Sequence, residues 1–104
     1  MRLFALLLAA TALAAQDPVD LSGWMDRGVQ EFQAAHYPAA VAAFERAVAI
    51  APSNVNGQLY LATAYMQQFI PGAESTENIR FAQAARTHFL RALDLDTSNG
   101  VAIA

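Results

Sequence analysis

Two histidines, one close pair of aspartates and five glycines are the residues of this chain whose types could do chemistry. An imidazole binds metal or moves protons only with partners, as in His-Glu-x-x-His, where a helical turn brings two rings and a carboxylate to one face. Neither His36 nor His88 has such neighbours. Asp94 and Asp96 stand two apart, which on a helix points them to different sides and away from shared acid–base work. Glu74 and Glu77 suit the positive end of a helix start. The glycines Gly23, Gly28, Gly57, Gly72 and Gly100 stand singly, so there is no phosphate-cradling loop, dinucleotide fingerprint or nucleophile elbow. With no cysteine there is no thiol nucleophile, thiolate metal site or disulfide. The expectation is a protein without a catalytic constellation, a metal site or a cofactor.

What must position any other site is read from composition and spacing. The 104 residues allow one small domain, 56% hydrophobic and 14% charged, with a formal charge of −3. Alanine supplies 24 of them, a small-residue excess that favours close-packed helices over sheets of β-branched residues. Six arginines and no lysine, scattered along the chain, make no clustered basic face, so nucleic acid is not an expected partner.

Residues 1–15 carry one arginine, an apolar run and small residues before Gln16-Asp17-Pro18, the pattern of a secretory signal peptide. The run from Leu3 to Ala15 falls short of the roughly twenty residues a membrane-spanning helix needs. Cleavage after Ala14 or after Ala15 fits equally. The expected product is exported, periplasmic or secreted, with no stable membrane span; loss of Arg2 leaves five arginines against nine acids, a formal charge of −4. Residues 16–20 form a linker.

Beyond Asp20, apolar residues recur at helical spacing and proline and glycine divide them. Leu21, Trp24, Gly28, Phe32 and Ala35 form a first stripe, with Asp20 or Ser22 as cap and an end near His36-Tyr37. Pro38 suits the first turn of a second helix, whose Ala40, Val41, Phe44, Ala47, Val48 and Ala51 run to Pro52. A third helix carries Leu59, Ala62, Tyr65, Met66 and Phe69 as far as Ile70-Pro71-Gly72. Ser75 or Thr76 caps a fourth, with Ile79, Ala82, Ala85, Phe89, Ala92 and Leu93 continuing to about Asp96, and Thr97–Gly100 forms a turn. No segment alternates with the period of a strand.

Gly28 and Ala62 stand 34 residues apart at matching places, while Phe44 and Phe89 match at 45, an excess of eleven. Trp24, Gly28, Ala40, Phe44, Ala47 and Pro52 carry the spacing of the tetratricopeptide repeat, which this chain resembles over residues 21–104. Arg27 and Glu31 depart from it, standing where the family has leucine and an aromatic. A second unit matches through Leu61, Ala62, Tyr65, Ala85, Phe89, Ala92 and Leu93, with Gln58 in place of tryptophan and Thr97 in place of the closing proline. The resemblance implies an all-α fold of antiparallel helix-turn-helix repeats stacked as a short α-solenoid, the first repeat at 21–54 and the second at 55–99. The excess lies between Met66 and Arg80, as a longer loop and an N-terminal extension of the fourth helix; it is either a binding feature or a tolerated insertion. Residues 100–104 look like the start of a third repeat, so a fragment of a longer array is expected, with an apolar end open to self-association.

The family's first helices line a concave groove that receives a protein or peptide segment. Carried onto this sequence, the groove would be lined by Ser22, Met25, Val29 and Phe32, and by Asn56, Leu59, Thr63, Met66 and Gln67. That lining is largely apolar and neutral, and suits a hydrophobic or amphipathic segment. The lysine-bearing clamp that family members use on a C-terminal carboxylate has no counterpart here. The resemblance thus implies an interaction scaffold; a docking module of a larger enzyme or sensor is the alternative.

Overall fold

Asp20 opens the first helix because its extended backbone leaves its carboxylate free to accept from the Gly23 amide at 2.8 Å. The computed structural model describes residues 17–98; the proposed leader at 1–15 and the start of a third repeat at 100–104 lie outside them. Four helices follow: α1 (Leu21–Gln33), α2 (Tyr37–Ile50), α3 (Val55–Met66) and α4 (Thr76–Ser98). The described residues form no strand, so they are all-α as expected. No described helix is long and apolar enough to cross a membrane.

The helix ends differ from the spacing in three places. α1 stops at Gln33, before His36-Tyr37, because Ala35 turns left-handed at φ 62° while the Ala35 and His36 amides donate back to Phe32 and Glu31. Ala35 is therefore an exposed C-terminal cap residue and no part of the apolar stripe. α3 stops at Met66, and Phe69 lies beyond it in a tight turn. α4 runs past Asp96 through Thr97 and Ser98, which the sequence placed in a turn.

Pro38 sits in the first turn of α2, where its missing amide hydrogen costs nothing. Asn54 caps α3 by accepting from the Gly57 amide at 2.9 Å. Ser75 starts α4, its hydroxyl accepting from the Asn78 amide.

Each helix packs on its neighbours in sequence: α1 on α2, α2 on α3 and α3 on α4. Small residues mark the crossings. Gly28 takes the edge of the Phe44 ring, and the pairs Ala40 and Ala85, Ala47 and Ala92 are buried alike. Phe44, Leu61 and Val41 fill the centre, with Met25, Val29, Phe32, Val48 and Tyr65 packed around them. The stripe expected on α4 is only partly covered: Ala85 and Ala92 are buried, whereas Ile79 is 48% and Leu93 62% exposed.

Residues 67–75 form the α3–α4 loop. Asn78, only 4% exposed, accepts from the Ile70 amide at 2.7 Å and donates to the Ile70 and Ala73 carbonyls at 2.8 Å each. One side chain thus closes the α3–α4 connection, and Gly72 takes the positive φ of 87° that the turn requires.

Candidate functional site

The C-terminal half of α1, the middle of α2 and the middle of α3 enclose a cavity of about 420 Å³ lined by Val29, Phe32, Gln33, Phe44, Tyr60 and Thr63. Its size falls within the range of roughly 300–1,000 Å³ typical of ligand clefts. Phe44 forms the floor. It is 2% exposed and reaches its place because Gly28 has no side chain to meet the ring. Tyr60 stands over it with ring centroids 5.6 Å apart, tilted by 54°. Phe32 forms another wall and is itself braced edge-on by Tyr37 at 5.2 Å.

No lining residue carries a charge, and neither does any of the twelve residues of α3. The Thr63 hydroxyl donates to the Leu59 carbonyl one turn back. The Gln33 amide and the Tyr60 hydroxyl are then the polar groups offered to an occupant.

Of the nine residues assigned to a groove from the sequence, the cavity brings together Val29, Phe32 and Thr63. Ser22 and Met25 lie on the same side of α1 but nearer its start, Ser22 exposed and Met25 packed on the core. Asn56 and Gln67 are exposed at the two ends of α3. Leu59 and Met66 are exposed and turned aside from the cavity. Gln33, Phe44 and Tyr60 complete the lining and were absent from that set. Tyr60 had a signal in the sequence, since it stands three residues before Thr63 and shares its side of the helix.

On another side of α3 lies a polar cluster. Gln58, 2% exposed, donates to the Pro52 carbonyl at 2.9 Å and meets His88 Nδ1 through its oxygen at 2.7 Å. Since the Gln58 oxygen can only accept, Nδ1 carries the proton in this pair. His88 stacks on Tyr65 at 6.0 Å with rings nearly parallel, and Tyr65 donates to Glu45 at 3.2 Å. Burial lowers the His88 pKa, Arg91 lowers it further and Glu45 works against both. Burial, together with the Glu45 charge and hydrogen bond, raises that of Tyr65. The cluster ties α2, α3 and α4 together.

Trp24 and Ala43 line a smaller cavity with Arg27, Glu31 and Arg46. Arg46 lies over the Trp24 ring at 5.7 Å. Arg27 lies 3.6 Å from Asp17, and Glu31 lies 3.6 Å from His36, both as exposed contacts of small energetic weight. Among the described residues no group of three potential ligands is placed to hold a metal ion.

Compared with family models, curated proteins and solved structures, the chain matches none.

Proposed function

We propose that this protein is an exported interaction scaffold, built as a short tetratricopeptide-like α-solenoid that holds a partner segment in the groove between α1 and α3. The observation that carries this reading is the uncharged cavity over Phe44, walled by aromatic residues and open between the two helices. An occupant would gain by removing apolar surface from water, with no charge to desolvate on the protein side. Packing chiefly between sequence neighbours and the paired burial of Ala40 with Ala85 and of Ala47 with Ala92 support the repeat interpretation. The leader-like pattern of residues 1–15 supports export, and N-terminal sequencing of the secreted chain distinguishes cleavage after Ala14 from cleavage after Ala15.

The experiment is selection of a displayed random-peptide library on the wild type and on Thr63→Glu. This substitution puts a charge in the cavity wall and removes no core contact. Peptides enriched on the wild type should lose capture by Thr63→Glu while its circular dichroism stays unchanged. Equal enrichment on both proteins would overturn the groove.

A further inference from the structure

We infer that the cavity over Phe44 is a subsite for one uncharged aromatic side chain of the partner segment; this rests on the groove reading above. Three of the six lining side chains are rings, and two of them are braced within the fold. Phe32 is held edge-on by Tyr37, and Phe44 is seated in the space left by Gly28. An entering ring therefore meets the Phe32 and Tyr60 rings with the buried Phe44 beneath them, an aromatic wall that favours offset and edge-to-face contact over the looser fit of a branched aliphatic chain.

Charge narrows the occupant further. A lysine or arginine inserted here would lose water and find no carboxylate in the lining; an aspartate or glutamate would find no cation. The Thr63 hydroxyl donates within its own helix, and the Gln33 amide and the Tyr60 hydroxyl are the groups able to meet a ring substituent or a peptide carbonyl at the rim. A tryptophan, with a large apolar body and one N–H donor, matches that inventory.

The test uses the full chain, isotope-labelled, titrated with N-acetyl-tryptophanamide, N-acetyl-leucinamide and N-acetyl-lysinamide. The tryptophan amide should give saturable shifts confined to Val29, Phe32, Gln33, Tyr60 and Thr63, with roughly threefold to tenfold tighter binding than the leucine amide. The lysine amide should give none. Thr63→Phe, which fills the cavity from its wall, should abolish the tryptophan response while its thermal midpoint stays at or above that of the wild type. A leucine response equal to the tryptophan response, shifts mapping elsewhere, no shifts at all, or an undiminished response in Thr63→Phe would each overturn the subsite. The wider groove is tested separately: enriched peptides that lack an aromatic residue yet depend on Thr63 would leave the groove standing and remove the aromatic subsite. A library yielding no Thr63-dependent peptide would remove the groove itself.

Discussion

Gly28, in the middle of α1, and Gly57, in the first turn of α3, should respond in opposite directions to the same substitution. Replacing a helical glycine by alanine gains about 0.8–1.0 kcal/mol from backbone entropy alone. At Gly57 nothing opposes that gain: the added methyl would lie 3.5 Å from Val48 Cγ2 and 3.7 Å from the Asn54 carboxamide oxygen, ordinary contact distances. Gly57→Ala should therefore stabilise by about 0.5–1 kcal/mol and raise the thermal midpoint by a few degrees. At Gly28 the methyl would fall 2.5 Å from Phe44 Cδ1, 2.7 Å from Cζ and closer still to Cε1. Overpacking of that kind costs about 1–3 kcal/mol, and three simultaneous clashes on a buried ring put it in the upper half of the range. After the helix gain is deducted, Gly28→Ala should destabilise by about 1–2 kcal/mol, a fall in midpoint of roughly 5–15 °C for a domain of this size. The ring has one direction of escape, into the cavity it floors, so the variant should also lose peptides selected on the wild type. Differential scanning calorimetry checks the signs and a binding titration checks the loss. A Gly28→Ala protein that melts higher than the wild type, or binds as tightly, would refute the packing on which the cavity rests.

Asn78→Ala removes three hydrogen bonds to the α3–α4 loop and should cost about 2–3 kcal/mol, with hydrogen exchange of the Ile70 amide accelerated well beyond that of α1 and α2. Because burial, and then Arg91, lower the His88 pKa, the folded state binds fewer protons than the unfolded chain. That contribution to stability is intact above the ordinary imidazole value of 6.5 and is lost as pH falls through 6.5 toward the lower folded value. Urea titrations at descending pH should show a decline that is shallower in His88→Phe. Ala35→Gly relieves the left-handed backbone at φ 62°, and should stabilise by about 0.5–1 kcal/mol once glycine's flexibility in the unfolded chain is subtracted.

The helices were legible because their signals are local. Asp20, Pro38, Asn54 and Ser75 act within a turn of where they stand, and the three- and four-residue recurrence of Ala40, Val41, Phe44 and Ala47 needs no knowledge of a partner. What escaped depends on contacts across the chain. Phe69 continues the periodicity of α3, yet Asn78 holds the neighbouring Ile70 backbone in a loop, an interaction the helical pattern does not contain. Gln58 stands where the resemblance expects tryptophan, and its burial makes sense only with its partners, the Pro52 carbonyl and His88, thirty residues on. The cavity was half legible: the family resemblance placed Val29, Phe32 and Thr63 on the sides that meet, but Phe44 read as core alone because burial and service as a floor look identical in a sequence.

The groove stands or falls on where a bound segment lies. A peptide enriched on the wild type should be added to the labelled protein and its amide shifts mapped. The largest changes should fall along Val29–Gln33 and Tyr60–Thr63 and be absent when the same peptide is added to Thr63→Glu. Changes centred instead on the exposed face of α4 around Leu90 and Leu93, or equal changes in the Thr63→Glu protein, would contradict the groove.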